Sequence, residues 1–92
     1  MTWVAKTLLA KLHARRKFYR EHGHKVDDIA IGHYEGKIKI ADDTGAYDFE
    51  LSAHNPPCWY ARRVGNPSRT TEWIASYCSG IIAECGVELC DT

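Results

Sequence analysis

Three short segments between residues 26 and 52 alternate apolar and polar side chains with a period of two, which is typical of half-buried β-strands. The turns between them, at residues 34–37 and 42–45, each contain a glycine and are too short for a crossover, so the strands must pair as antiparallel hairpins. The sheet has one apolar face and one wet face. The apolar face is expected to hold Ile29, Ile31, Ile38, Ile40, Tyr47, Phe49 and Leu51, and the wet face Lys37, Lys39, Asp48 and Glu50.

Residues 2–22 predict an amphipathic helix before this meander. Its apolar positions cluster within about 80° on a helical wheel, Thr2 is suited to the N-cap, and Gly23 is suited to closing the helix. The apolar stripe consists of Val4, Leu8, Leu12 and Tyr19, and the opposite side carries Lys6, His13, Lys17 and Arg20, with Arg16 on its flank.

Residues after the meander (26–52) predict a connector at 53–66, a second helix at 67–85 and a short strand at 87–90. Asn66 and Pro67 are a favourable N-cap and first-turn pair, and Gly80 within the helix suggests close packing against the sheet. The apolar residues Trp73, Ile74, Tyr77, Ile81 and Cys85 recur at helical spacing. We therefore predict a single domain (1–92) of the α+β class: a three- to four-stranded antiparallel sheet with an N-terminal helix and a C-terminal helix packed on it.

Charge is distributed very unevenly along the chain. Residues 1–25 hold seven of the twelve Lys and Arg residues and one acid, whereas residues 26–52 hold seven acids and two bases. Such asymmetry favours binding to an anionic partner, with Lys6, Arg16, Lys17 and Arg20 as the expected phosphate contacts. The alternative interpretation is an ordinary solvated helix face, although such faces usually mix both signs.

The connector contains Trp59-Tyr60-Ala61-Arg62-Arg63, a combination of aromatic and guanidinium groups. These groups stack on bases, bind phosphates and form protein hot spots, so Trp59, Arg62 and Arg63 are expected to anchor the connector on a partner. Two other interpretations are open. Residues 59–64 are compatible with a short edge strand. Alternatively, Trp59 and Tyr60 cover the edge of the core and the arginines simply project.

No pattern in the sequence predicts a reaction. The turn acids are explained by local backbone bonding, and the cysteines at 58, 78, 85 and 90 lack the spacing of structural zinc sites. We expect no enzymatic activity, metal, cofactor, small-molecule substrate or membrane partner. With neither a signal peptide nor a membrane span in the sequence, the protein is expected in the cytoplasm with its thiols reduced.

The order helix, three antiparallel strands, helix resembles the topology of the double-stranded RNA-binding domain. That family carries a lysine-rich segment at the start of its second helix, where this chain has Ser68-Arg69-Thr70-Thr71-Glu72. A stand-alone RNA- or DNA-binding module is therefore an alternative function.

Taken from Met1-Thr2-Trp3-Val4-Ala5-Lys6 to Cys85-Gly86-Val87-Glu88-Leu89-Cys90, the chain resembles small phage-encoded anti-CRISPR proteins that act on type I-F systems. The resemblance implies a non-catalytic inhibitor in the cytoplasm of the infected bacterium. Its partner would be the type I-F surveillance complex, including its guide RNA (crRNA), and binding would block hybridisation with target DNA. Basic side chains would meet RNA phosphates, and acidic ones would meet the lysines that hold DNA.

Overall fold

The fold was obtained as a computed structural model, which describes residues 3–51 and 58–84. Within these ranges, two helices flank a run of four strands, and the expected α+β class is confirmed. The elements in order are helix α1 (Trp3–Glu21), strands β1 (Ala30–Tyr34), β2 (Lys37–Ala41), β3 (Gly45–Leu51) and β4 (Trp59–Gly65), and helix α2 (Arg69–Glu84).

The sheet has the order β1-β2-β3-β4, and every neighbouring pair is antiparallel. Its register sets Ile38 opposite Phe49, and Phe49 opposite Ala61, so the apolar positions line up across the strands. The first hairpin closes through Glu35 and Gly36, whose φ angles are 51° and 81°. Two successive positive φ angles are those of a type I′ turn, whose twist matches that of paired strands.

The apolar face of the sheet packs against both helices and forms one core. Its centre is fully enclosed, and the expected alternation along the strands is confirmed at Ile31, Ile38, Ile40 and Phe49, with Tyr47 partly buried. Helix α1 contributes Ala5, Leu8 and Leu12, and helix α2 contributes Thr71, Ile74, Ala75, Cys78, Ile81 and Ile82.

Strand β4 occupies half of the predicted connector and extends the meander by a fourth member. Because side chains alternate between the two faces of a strand, adjacent residues of β4 point in opposite directions. Trp59 lies on the helix side and is only 3% exposed. The strand interpretation of residues 59–64 is therefore confirmed, and residues 53–57 of the predicted connector lie outside the described residues.

Helix α1 ends at Glu21 and is closed by Gly23, the residue that the sequence predicts for this role. The Gly23 amide donates to the Arg20 carbonyl (3.1 Å) and the His24 amide to the Tyr19 carbonyl (2.9 Å). With a φ of 85° at Gly23, this pair of bonds is the Schellman arrangement. The turn leaves the His24 ring beside Tyr19, with centroids 5.7 Å apart.

Helix α2 begins two residues later than predicted, and Ser68 rather than Asn66 is its N-cap. The Ser68 hydroxyl accepts a hydrogen bond from the Thr71 amide (3.3 Å), and its carbonyl accepts one from the Glu72 amide (3.0 Å). Asn66 instead donates its amide to the Thr44 carbonyl (3.0 Å), in the turn before β3. The sequence could not anticipate this bond, because its partner lies 22 residues away.

Two expectations about α2 are wrong. Trp73, predicted to belong to the apolar stripe, is 38% exposed, because the buried stripe is centred on Ile74, Cys78 and Ile82. Gly80 is exposed, and a Cβ atom added there would meet nothing within 4 Å, so this glycine is not required for packing against the sheet.

The predicted strand at 87–90 lies outside the described residues. Cys58, half-buried just before β4, is disulfide-bonded, so the expectation that every thiol is reduced is wrong for this residue. Neither α1 nor α2 is long and apolar enough to span a membrane.

Candidate functional site

Three of the four helix residues predicted to contact phosphates lie on the exposed side of α1. Lys6, Lys17 and Arg20 fall within about 60° of one another on the helical wheel and extend over about 21 Å of its axis. Lys17 lies 4.0 Å from Glu21, and Arg20 lies 3.3 Å from Asp27, with more than half of each side chain exposed. Such solvated pairs are weak, so a stronger anion can replace these carboxylates.

Arg16, the fourth predicted contact, is partly buried and already engaged. One guanidinium nitrogen, Nη1, donates to the Ile29 carbonyl at 2.7 Å, and Nη2 lies 3.1 Å from His13 Nδ1. A guanidinium can only donate, so His13 accepts through Nδ1 and carries its proton on Nε2. Partial burial, followed by the nearby Arg16 charge, lowers the pKa of His13, which favours the neutral form of this ring. Arg16 therefore fixes the segment before β1.

The strand geometry of β4 separates the three side chains that were expected to act together. Trp59 is enclosed in the core, so its indole cannot serve as a surface anchor. Arg63 also lies on the helix side, where its guanidinium contacts the Gly65 carbonyl and Asn66 Oδ1, both at 3.3 Å, and lies 3.8 Å from Glu72. Arg62 is exposed on the opposite face, opposite Asp48 in the register.

The helix-free face of the sheet carries charges of both signs. The Asp48 side chain is 15% exposed, and its carboxylate lies 3.9 Å from the Lys39 ammonium. In the sheet register, Asp48 is opposite Lys39 on β2 and opposite Arg62 on β4. A shallow recess of about 460 Å³ opens here. Among the described residues, Asp48 Oδ1 is buried without a hydrogen bond. The recess is lined in part by Lys37, Asp48, Glu50, Tyr60 and Arg62.

Asp42 joins the β2–β3 turn to the start of α2. Its Oδ1 accepts from the Thr44 amide (2.7 Å) and hydroxyl (2.6 Å), and its Oδ2 accepts from the Ser68 amide (2.8 Å) and the Thr71 hydroxyl. Burial alone would raise the pKa of Asp42, but these hydrogen bonds outweigh it and hold the pKa far below its ordinary value of 3.8. This carboxylate is a structural element and is unavailable to a partner.

The other acids of residues 26–52 are mostly at the surface. Glu35 lies in the β1–β2 turn and Asp43 in the β2–β3 turn, at opposite ends of the sheet, because antiparallel hairpins reverse direction at each turn. The exposed acids of this segment are Asp27, Asp28, Glu35, Asp43 and Glu50. They do not converge on a point.

Metal-ligating and nucleophilic side chains were compared across the described residues. Within residues 3–51 and 58–84, no three His, Cys, Asp or Glu side chains come close enough to share a metal ion. Cys78 is free and buried, and burial raises the pKa of its thiol to about 12. A thiol that remains protonated is a poor nucleophile.

Sequence reasoning missed the exposed rings at the end of α1 and on α2. Phe18 is 42% exposed at the margin of the α1 stripe, and Trp73 is 38% exposed on α2. Both are apolar residues at helical spacing, so only the position of the two helices on the sheet reveals that they face solvent. A scan against protein-family models, a search of curated proteins and a search of solved structures each found no match for this chain.

Proposed function

We propose that this protein is a non-catalytic inhibitor that binds the RNA-guided surveillance complex of a type I-F CRISPR system, including its guide RNA, and blocks hybridisation with target DNA in the cytoplasm of an infected bacterium. The observation that carries the proposal is the row of exposed cations on α1, formed by Lys6, Lys17 and Arg20. The sequence resemblance described above supplies the identity of the complex.

The α1 row supports contact with RNA phosphates. Its cations have only weak, solvated partners, so little binding energy is lost when a phosphate replaces a carboxylate. Several phosphate contacts in a row also release counterions, which gives the complex a strong dependence on salt. Arg62 adds a further exposed cation on the helix-free face of the sheet.

The exposed acids support contact with the lysines that would otherwise hold DNA. They are carried by tight turns and sheet positions, so their backbones are held in place before binding. Opposite charges on separate elements allow one small protein to meet RNA and a basic protein channel at once. This arrangement needs no chemical step, and blocking by contact is sufficient.

Titration against the assembled surveillance complex tests the proposal. Inhibition of DNA hybridisation should increase linearly with added protein and saturate at a fixed ratio near one protein per binding site. An enzyme would instead inhibit below this ratio, by an amount that grows with incubation time. That outcome would contradict the non-catalytic mechanism.

Charge reversal on α1 tests the surface. The triple variant Lys6→Glu, Lys17→Glu and Arg20→Glu should lose inhibition and reduce the slope of log affinity against log salt by about 2. Arg16 is omitted because its bond to the Ile29 carbonyl would mix folding with binding. The matched control, Lys6→Arg, Lys17→Arg and Arg20→Lys, preserves every charge and should inhibit normally.

The alternative function, a stand-alone nucleic-acid-binding module, is tested by comparing binding to naked RNA with binding to the assembled complex. Such a module would bind naked double-stranded RNA as tightly as it binds the assembled complex. The proposed inhibitor should bind the complex much more tightly than naked RNA, because its acids gain partners only on protein. Full inhibition by the triple charge reversal would remove α1 from the mechanism.

A further inference from the structure

A group of stacked and edge-to-face rings lies where the end of α1 meets α2. Phe18 and His22 lie within 33° of parallel with centroids 4.1 Å apart, and His24 meets Trp73 edge to face at 5.1 Å. Tyr19 contacts both Phe18 (5.6 Å) and Trp73 (5.7 Å), which joins the two pairs. We call this group the ring cluster. Its members are Phe18, Tyr19, His22, His24 and Trp73, together with Tyr77, whose ring shares the Arg15 guanidinium with Phe18.

The ring cluster is rigid on one side and open on the other. Tyr19 and Tyr77 are partly buried against the core. His22 is held by a 2.8 Å bond between Nδ1 and the Phe18 carbonyl; because a carbonyl can only accept, Nδ1 carries the proton. Phe18 and Trp73 nevertheless keep about two fifths of their surfaces in solvent. Preorganised, exposed rings can accept a further ring at low entropic cost.

One cation lies against the ring cluster and two more are close to it in the sequence. The Arg15 guanidinium carbon lies 4.0 Å from the Tyr77 ring centroid and 4.9 Å from that of Phe18. Exposed cations also adjoin the cluster in sequence: Lys25 follows His24, and Arg69 precedes Trp73 by one helical turn.

The acids next to these rings in sequence are turned to other partners. Glu21, three residues after Phe18, lies 4.0 Å from Lys17, and Glu72, beside Trp73, lies 3.8 Å from Arg63. Exposed rings with a cationic border suit a partner that has flat aromatic groups and negative charge together. Unpaired nucleotides have both, because every base presents a π-face and every linkage carries a phosphate.

We propose that the ring cluster is a binding surface for single-stranded nucleic acid, in which unpaired bases stack on Phe18, His22 and Trp73 while Arg15, Lys25 and Arg69 contact the backbone. This surface is distinct from the Lys6, Lys17 and Arg20 row on α1. The inference therefore does not depend on the proposed inhibitory function, and each can fail without the other.

Binding of a fluorescently labelled, 12-nucleotide oligouridylate to the purified protein tests the inference. Phe18→Leu and Trp73→Leu keep apolar bulk but remove the ring, and each should weaken binding about tenfold. The matched control is Tyr34→Leu, because Tyr34 is 58% exposed but lies on the helix-free face of the sheet. This control should bind within twofold of the unchanged protein.

A 12-base-pair RNA duplex separates stacking from simple attraction to phosphates. Paired bases are already stacked on one another, so Phe18→Leu should leave duplex binding unchanged. Undetectable oligouridylate binding, or equal binding by the ring variants and the unchanged protein, would overturn the inference. The ring variants could also bind oligouridylate normally but bind the surveillance complex more weakly. That result would assign the ring cluster to a protein partner, and it would also overturn the inference.

Discussion

Helix α1 and the acidic segment 26–52 carry charge in similar amounts but use it differently. In the acidic segment, Asp42 accepts hydrogen bonds from two elements and Asp48 is almost enclosed. In α1, Lys6, Lys17 and Arg20 remain on the surface, whereas Arg16 donates a hydrogen bond to the Ile29 carbonyl that helps to hold the fold together. A strongly charged segment therefore says little about which of its charges a partner can reach.

The difference follows from side-chain length and from the position of each group. A short Asp side chain at a turn reaches nearby amides at once, so its charge is satisfied by the protein's own backbone. Lys and Arg on a helix extend away from the backbone into solvent, and they interact with the fold only where another segment crosses their path. Ile29 crosses the path of Arg16 but not that of Lys17.

Replacing Asp42 should produce the largest loss of stability. Asp42→Ala removes the acceptor for amides and hydroxyls of both the turn and α2, including a buried Thr71 hydroxyl, and should lower the free energy of unfolding by about 3 kcal/mol. Urea denaturation measures this change. Asp43→Ala, at the exposed neighbouring position, is the control and should change stability by less than about 0.5 kcal/mol. Equal losses of stability at the two positions would show that the hydrogen bonds of Asp42 do not stabilise the fold.

The contribution of the Asp42 carboxylate to stability should also depend on pH, and Asp42→Asn tests this with a side chain of similar size. Because the folded-state pKa of Asp42 is lowered, its contribution to stability is present above the unfolded pKa of about 4 and is lost as the pH falls toward the folded value. The stability difference between the unchanged protein and Asp42→Asn should therefore shrink progressively below pH 4. A difference that stays constant down to pH 2 would contradict the assignment.

Arg16 should behave as the exception within α1. Arg16→Ala leaves the Ile29 carbonyl without its donor and should lower the free energy of unfolding by about 1.5 kcal/mol. Arg16→Lys keeps the charge but not the paired donors, so it should recover only part of this loss. Thermal unfolding of both variants provides the test, and an unchanged melting temperature for Arg16→Ala would place this residue with the other surface cations.

The smallest effect is expected at Lys17. Its ammonium lies 4.0 Å from Glu21 with most of both side chains in solvent, so Lys17→Ala should change stability by less than about 0.5 kcal/mol. The effect should become smaller still at high salt. Chemical denaturation at low and high salt measures the free energy of unfolding of Lys17→Ala. A loss as large as that of Arg16→Ala would contradict the proposed difference between Arg16 and Lys17.

Much of the fold could be predicted because its signals are local. The alternation of Ile38, Ile40 and Phe49, and the short glycine turns, are sufficient to predict antiparallel pairing, and Gly23 marks the end of α1. Strand β4 is harder to predict from the sequence, because Arg62 and Arg63 interrupt the apolar pattern that Trp59 and Ala61 begin. The start of α2 was misplaced because its cap is completed by a turn more than 20 residues earlier in the chain.

The candidate surfaces were less predictable, since exposure depends on how elements pack. Lys6, Lys17 and Arg20 were expected at the surface from the helical wheel, and they lie there. Residue type alone placed Trp59 in a binding loop, whereas the register of β4 places it in the core. Conversely, Trp73 has helical spacing suited to burial, but α2 lies on the sheet through Ile74 and Cys78, and the Trp73 side chain remains 38% exposed.

The consecutive strand order also has a kinetic consequence. Each strand pairs with the one that precedes it in the chain, so the sheet can grow by closing one small loop at a time. The Asp42 carboxylate meets Ser68 and Thr71 only after a further 26 and 29 residues, so this connection is expected to form after the transition state. Removing it should then accelerate unfolding while refolding proceeds at nearly its normal rate.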